Sequence, residues 1–258
     1  ENLISCSHGG RCIYKTDDNL NVSIVIEQFE GKKFNSPNDV CVKSDDTIWF
    51  TDPPYGILSD YEGYPGEQEY GGSYVFRFKP NINKLDVMTT NLDRPNGIAF
   101  SHDEKKLYIA DTGENIKCLY VFDVEDDLIL NQKLVYDFKP FFSDGFRCDK
   151  DGNIWLGTEM DGLYFLPVDL IPSVREGNEF EIVGHVFDEN VPEGMSSARI
   201  TCLTQDQNGV IWVGTANGGL NRYHKEDETF SHFFVQDGLP SNYITAIAVD
   251  DKNNLWIS

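Results

Sequence analysis

The stretch "DKDGNIWLGT" at residues 149–158 carries the pattern from which the fold is predicted. It joins an acidic turn to a short run in which an aromatic residue lies between aliphatic ones, which is typical of a hairpin entering its second strand. The aromatic positions recur at intervals of about 45 to 60 residues, a spacing that indicates repeated units of several short strands. Further copies of the unit are "SDDTIWFTD" (44–52), "DEKKLYIAD" (103–111), "DQNGVIWVGT" (206–215), "DDKNNLWIS" (250–258) and a degraded "ENLISCS" (1–7).

Each unit predicts four antiparallel strands, and the chain is therefore expected to be an all-β protein, a β-propeller of four-stranded blades. Four units are complete, with a fragment at each end: 38–92, 96–138, 145–186, 200–236, 3–29 and 244–258. We expect the two fragments to share one blade and close a six-bladed ring within a single domain over residues 1–258. Because "NLISC" and "NLWIS" both resemble a second strand, a five-bladed ring is the alternative.

Charge and hydropathy restrict the partners. The chain carries 43 Asp and Glu against 21 Lys and Arg, a formal charge of −22. Such a surface repels phosphate backbones and anionic membranes, so neither nucleic acid nor a membrane is expected as a partner. No apolar run reaches the roughly 18 residues of a spanning helix. The chain opens without Met or a signal sequence, which indicates either that a leader was removed or, as we expect, that this is an internal segment. The compartment (bacterial cytoplasm or periplasm) and the oligomeric state stay open.

Oxygen-bearing side chains occupy equivalent places in three consecutive units. Asn38 in "SPNDVCV", Asn96 in "RPNGIAF" and Asp144 in "FSDGFRC" each begin the first strand of a unit. First strands line the channel of a propeller, so these side chains are expected to converge on one point, as the ligands of a hard cation do. The alternative is that Asn and Asp stand there because they favour turns. Thr201 and Thr245 take the same place in the last units.

Two further features have an open role. The five histidines share no metal-type spacing, and His8, in the turn "SHGG", fits a purely structural role least well. The stretch "DPPYGILSDYEGYPGEQEYGGS" (52–73) is longer than the other connections and rich in Tyr and Gly. It is either a lid over the mouth of the channel or a surface insertion.

The segments "LISCSHGGRCIYK", "KKFNSPNDVCVKSDDTIWFTDPPYGI", "LDRPNGIAFSHDEKKLYIADTG" and "SDGFRCDKDGNIWLG" together resemble the gluconolactonase/senescence-marker-protein (SMP-30) family. The resemblance covers about residues 1–195. It implies a six-bladed propeller that hydrolyses a sugar lactone with a divalent metal in its channel. It also implies that Asn96 and Asp144 are metal ligands and that Asn38 lies close to both metal and substrate. The expected ion is Ca²⁺, with Zn²⁺ or Mg²⁺ as alternatives.

From about residue 196 the sequence resembles a different family. The text "ITCLTQDQNGVIWVGT" and "ITAIAVDDKNNLWIS" is similar to two-component regulator propeller repeats, so the chain looks chimaeric, with lactonase-like blades over 1–195 and regulator-like blades over 196–258. In the lactonase family a Glu-Gly-Pro motif supplies a further carboxylate ligand from the blade that precedes "NLISC". That motif does not occur in this sequence.

Two functions are compatible with these residues. The first is metal-dependent hydrolysis of a small sugar lactone, in which the metal polarises the carbonyl group and Asp144 deprotonates the attacking water. The resemblance implies that the absent Glu would weaken metal binding and impair this activity, since the number of charged ligands tunes Ca²⁺ affinity. The alternative is a non-catalytic chimaeric or ligand-sensing propeller scaffold, because a fold alone does not determine a function.

Overall fold

The computed structural model divides into two compact units, Glu1–Asp137 and Phe138–Ser258. The described residues are 2–126, 128–138, 143–158, 160, 162–168, 183–185 and 191–258. For residues 143, 144, 183 and 185 the backbone alone is described.

The first unit contains a three-stranded sheet, a small hairpin and two four-stranded sheets, each in sequential strand order. A single turn of α-helix, α1 (Tyr55–Leu58), lies in the long connection of the second sheet. The strands are β1 (Asn2–Ser7), β2 (Cys12–Asp17), β3 (Val22–Ile26), β4 (Gln28–Phe29), β5 (Lys32–Lys33), β6 (Val40–Val42), β7 (Ile48–Asp52), β8 (Tyr74–Lys79), β9 (Lys84–Thr89), β10 (Pro95–Phe100), β11 (Lys106–Asp111), β12 (Cys118–Glu125) and β13 (Leu128–Asp137).

The second unit contains two four-stranded sheets and one two-stranded sheet, again with neighbouring strands consecutive in sequence. Antiparallel pairing of consecutive strands is the meander that builds a propeller blade. The strands are β14 (Ser143–Cys148), β15 (Ile154–Thr158), β16 (Leu163–Leu166), β17 (Val183–His185), β18 (Ile200–Gln205), β19 (Ile211–Thr215), β20 (Leu220–His224), β21 (Thr229–Phe233), β22 (Ile247–Val249) and β23 (Leu255–Ile257).

The chain is therefore an all-β propeller protein, and its number of blades agrees with the five-bladed alternative. Four sheets of four strands and the sheet β1-β2-β3 make five blades within the described part of the chain. The shared sixth blade is not confirmed, because the terminal strands belong to two different sheets, β1-β2-β3 and β22-β23. The physical reason is positional: β1 and β23 both carry the second-strand pattern, and a meander has one place for a second strand.

The acidic residue of the repeat explains why the aromatic strand follows it. One carboxylate oxygen of Asp149 accepts hydrogen bonds from the backbone N–H groups of Asp151 (3.0 Å) and Asn153 (2.9 Å). The other oxygen accepts from the indole Nε1 of Trp155 at 3.0 Å. A single carboxylate thus closes the turn and fixes the aromatic ring that follows it.

The same contact recurs in the later repeats. Asp206 accepts from the indole of Trp212 at 3.1 Å, and Asp250 accepts from that of Trp256 at 3.3 Å. In the second blade the indole of Trp49 donates to a hydroxyl instead of a carboxylate, namely Thr47 Oγ1 at 2.9 Å. The repeated sequence pattern is therefore a repeated hydrogen-bonding unit.

Two aromatic residues of the repeat, Trp49 and Trp155, pack between blades. Trp49 is 1% exposed and meets the ring of Phe100 edge-on at 5.2 Å, in a cluster that joins the second and third blades. Trp155 is buried and contacts the ring of Tyr223 at 5.1 Å in the second unit. Trp256, by contrast, is 41% exposed.

Every cysteine is a free thiol. Among the described residues, we find no helix with the length and apolar character needed to cross a bilayer.

Candidate functional site

Asn38 lies two residues before β6 and Asn96 is the second residue of β10, so each stands at the start of the first strand of a blade in the first unit. Thr51 connects them: its carbonyl accepts from the N–H of Asn38 (2.9 Å), and its hydroxyl donates to the carbonyl of Asn96 (2.6 Å). Asp39 adds a second link, because its carboxylate accepts from the N–H of Ile98 (2.9 Å) on the next blade. The structure therefore links the backbones of these two residues at matching places, while the convergence of their side chains on one ion stays a prediction.

A buried aspartate holds the turn that carries Asn38. Asp52, the last residue of β7, accepts from the N–H groups of Asn35 and Ser36, each at 2.8 Å, and also contacts the hydroxyl of Tyr70. The chain then runs through Pro37, whose fixed φ limits the turn, into Asn38. Burial raises the pKa of Asp52 to about 8, although the two N–H donors act in the opposite direction.

Asp111 holds the turn before Asn96 in the same way. At the end of β11, it accepts from the N–H groups of Asp93 (2.9 Å) and Arg94 (2.8 Å), and Pro95 and Asn96 follow. Neither Asp52 nor Asp111 was predicted as part of the site. The available signal in the sequence was the Asp that ends the aromatic strand in "FTD" and "IAD". The later repeats "IWLGT" and "IWVGT" have Thr at that place.

The side chain of Asn38 is bonded to the turn of the first blade. Its amide nitrogen lies 3.2 Å from Nε2 of His8, and Nδ1 of His8 lies 3.5 Å from a carboxylate oxygen of Glu62. Burial lowers the pKa of His8, and the nearby Glu62 opposes that shift. His8 is thus a neighbour of the candidate site. The spacing of the histidines in the sequence gives no sign of this contact.

The side chain of Asn96 is 8% exposed and lies in a second polar network. Its amide nitrogen is 3.5 Å from the hydroxyl of Thr112, and that hydroxyl is 2.7 Å from the phenol oxygen of Tyr55. The guanidinium of Arg94 lies over the Tyr55 ring at 5.9 Å from its centroid. Both asparagine amides are therefore held by polar neighbours.

The long connection at residues 52–73 supplies a partner to each network, Tyr55 on one side and Glu62 on the other. It is packed against the first blade: a Cβ atom at Gly56 would lie 2.5 Å from Cβ of His8, and the ring of Tyr64 lies against Gly9. Arg11 reaches the same connection through the carbonyl of Glu67 at 3.3 Å. The connection thus contributes one side chain to the polar network beside each of Asn38 and Asn96.

Asp144 belongs to β14 in the second unit, and its side chain lies outside the described residues. Its convergence with Asn38 and Asn96 stays a prediction. The equivalent threonines make structural contacts: Thr201 Oγ1 donates to the carbonyl of Ile244, and Thr245 Oγ1 lies 2.8 Å from Ser258 Oγ.

The oxygen donors that the sequence predicts are of the kind that a hard cation takes. Among the residues whose side chains are described, no three His, Cys, Asp or Glu residues form a group that could hold a metal ion. The candidate ligands are instead two amides and one carboxylate, and such oxygen donors fit Ca²⁺ or Mg²⁺ better than Zn²⁺, which takes mainly nitrogen and sulfur.

Comparison with known proteins identifies the family. The model of the SMP-30/gluconolactonase/LRE-like region matches residues 1–163, more than half of the chain. The chain belongs to this family. The two-component regulator propeller model matches residues 194–217 and 238–258, so the later blades carry the second resemblance that the sequence predicts.

Individual relatives agree with the family. A gluconolactonase of Zymomonas mobilis is 34% identical over 171 residues, covering 62% of this chain and 47% of its own length. The solved structure of a gluconolactonase from Xanthomonas campestris superposes with a TM-score of 0.70 at 28% identity, over 83% of this chain and 65% of that one. A putative gluconolactonase gives a TM-score of 0.68 at 30% identity, with 83% and 67% covered. The chain spans about half the length of the curated relatives it matches.

Proposed function

We propose that the chain carries the site of a metal-dependent hydrolase that opens a small sugar lactone. The observation that supports this most is the matched placement of Asn38 and Asn96 at the starts of the first strands of neighbouring blades, where Thr51 links their backbones, in a chain whose relatives include gluconolactonases. Turn preference alone explains an Asn at one strand start. It does not explain why both amide side chains are held by polar networks of their own.

Each residue has a defined task in this proposal. A bound divalent cation, Ca²⁺ by preference and otherwise Mg²⁺ or Zn²⁺, supplies a Lewis acid for the lactone carbonyl. Asn96 and Asp144 are the proposed ligands, and Asn38 contacts both cation and substrate. Asp144 accepts the proton of the attacking water. Water adds to the carbonyl carbon, the ring ester C–O bond breaks, and the released oxygen takes up a proton to give a hydroxy acid.

The charge of the chain fits a neutral substrate and an anionic product. A lactone carries no charge, whereas the hydroxy acid ionises at neutral pH. A chain with a formal charge of −22 does not repel the first and disfavours retention of the second. The partner we propose is therefore a small-molecule lactone, with neither nucleic acid nor an anionic membrane as a partner.

The test is calcium titration by calorimetry together with hydrolysis of D-glucono-lactone in a pH-stat, corrected for the spontaneous reaction. We expect Asn96→Ala and Asp144→Asn to weaken Ca²⁺ binding at least tenfold, and Asp144→Asn to lower kcat by at least 100-fold while the fold persists. Asp46→Asn is the matched control for loss of one charge, because Asp46 is exposed and its φ of 65° suits Asn. Absence of binding at about millimolar Ca²⁺ would contradict the proposal.

A second candidate is a ligand-sensing propeller scaffold without turnover. The observation that favours it is the match of the two-component regulator propeller model to residues 194–217 and 238–258. The same experiments separate the two functions. Lactone binding measured by calorimetry, with no hydrolysis above the spontaneous rate in the presence of Ca²⁺, would favour the scaffold.

A further inference from the structure

The imidazole of His8 lies between a carboxylate and the amide of Asn38. Nδ1 of His8 is 3.5 Å from Glu62 Oε2, and Nε2 is 3.2 Å from Nδ2 of Asn38. These contacts come from three separate segments, namely the turn after β1, the connection at 52–73 and the start of the second blade. The row of polar atoms therefore depends on the folded chain.

The chemistry of the three groups fixes which proton lies where. Nδ2 of Asn38 can only donate, so Nε2 of His8 must accept and the ring proton of neutral His8 must be on Nδ1. That proton faces the carboxylate of Glu62. In the opposite arrangement, the lone pair on Nδ1 would face the same carboxylate, which is repulsive. Glu62 thus selects the tautomer of His8, and the tautomer selects the orientation of the Asn38 amide.

We propose that His8 is a positioning residue which, together with Glu62, fixes the side-chain amide of Asn38 so that its oxygen is the group offered to cation and lactone. This proposal rests on the proposed function, which identifies a cation and a lactone as the groups that the Asn38 oxygen contacts. A cation accepts only the oxygen of an amide as its ligand, so a freely rotating amide would present the wrong atom part of the time.

The surroundings of His8 leave its ring little freedom. The backbone carbonyl of His8 accepts from the N–H of Arg11 at 3.2 Å, which closes the turn. A Cβ atom at Gly56 would come within 3.0 Å of both Cβ and Cγ of His8, so the connection passes directly over the side chain. A glycine at this place is what permits the close approach.

The first experiment reads the tautomer of His8 by ¹⁵N NMR of the full chain labelled at histidine. His8→Gln identifies the signal among the five histidines. We expect the Nδ1–H form at neutral pH, whereas free imidazole side chains favour Nε2–H. Observation of the Nε2–H form at His8 would overturn the proposal. This measurement needs neither bound metal nor turnover.

The second experiment is a double-mutant cycle on Ca²⁺ affinity and on the lactonase KM and kcat. In the wild-type background, His8→Leu should weaken Ca²⁺ binding about tenfold, as loss of a ligand-orienting partner does. In the Asn38→Asp background the same change should cost less than about twofold, because a carboxylate has two equivalent oxygens and no orientation to lose. His8→Gln, which can accept from Asn38 and donate to Glu62, should restore part of the loss. The exposed His102→Leu is the matched control.

The outcomes separate this inference from the proposed function. If His8 shows the Nδ1–H form while the wild type neither binds Ca²⁺ nor hydrolyses the lactone, the proposed function fails and the orientation of Asn38 stands. If His8→Leu has the same effect in both backgrounds, or none in the wild-type background, His8 does not position Asn38 and the inference is overturned.

Discussion

Asp52 is a buried side chain that holds a turn by hydrogen bonds, although burial disfavours its charged form. Its two oxygens accept from two successive N–H groups, a task that a carboxylate performs better than any neutral side chain. The cost is desolvation, since Asp52 is fully buried and burial raises its pKa to about 8. The residue that holds the turn of Asn38 is therefore also a titrating group near neutral pH.

We expect Asp52 to make the free energy of unfolding fall as the pH rises from about 4 to about 8. The pKa of Asp52 in the folded chain is about 8, above the ~3.9 of an unfolded Asp, so the folded chain binds more protons in that window. Stability is then lost as those protons leave, by at most about 1.4 kcal/mol per pH unit. Urea denaturation across this range measures the slope of the unfolding free energy against pH for the wild type and for Asp52→Asn. In the variant this slope should be less negative.

The absolute stability of Asp52→Asn is not the readout, because its amide nitrogen cannot accept from a backbone N–H and the turn loses a bond. The change of slope with pH is. Asp46→Asn, an exposed aspartate, should keep the wild-type slope. An identical slope in Asp52→Asn would show that Asp52 does not bind the additional proton.

The repeated hairpin is the feature that matters at the scale of the element. An Asp at the start of the turn accepts from backbone N–H groups two and four residues later and from the indole six residues later, as in Asp206, Asn208, Val210 and Trp212. Local sequence alone encodes these contacts, so the second strand of each blade was predictable.

Asp206→Ala should destabilise the second unit by roughly 1–3 kcal/mol, because the turn loses its acceptor for two N–H groups and Trp212 loses its indole partner. Denaturation followed by tryptophan fluorescence measures the change. Asn208→Ala is the control, since Asn208 is exposed and takes part in the turn through its backbone N–H. Equal stability of the two variants would mean that this carboxylate does not hold the turn.

At the scale of the whole molecule, the sequence predicts what is local or periodic and not what depends on distant segments meeting. The repeat predicted the blades, and the strand starts predicted that Asn38 and Asn96 occupy matching places. The partners of these asparagines escaped prediction, because His8, Glu62 and Thr112 approach them from other parts of the chain. The number of blades was ambiguous for a related reason: both chain ends carry a second-strand pattern, and pairing rather than pattern decides where each belongs.

The net charge leads to a prediction for the molecule as a whole. With 43 acidic against 21 basic residues, like charges outnumber opposite ones, and the compact state is destabilised by self-repulsion. The Debye length falls from about 30 Å at 0.01 M salt to about 8 Å at 0.15 M, so added salt screens this repulsion. We expect Tm to rise by several degrees over that range in NaCl and in KCl alike. Scanning calorimetry measures the shift in a chelating buffer, which excludes stabilisation by bound divalent ions. A Tm that falls with salt would show that attractive ion pairs, such as Arg77 with Asp86, outweigh the excess of negative charge.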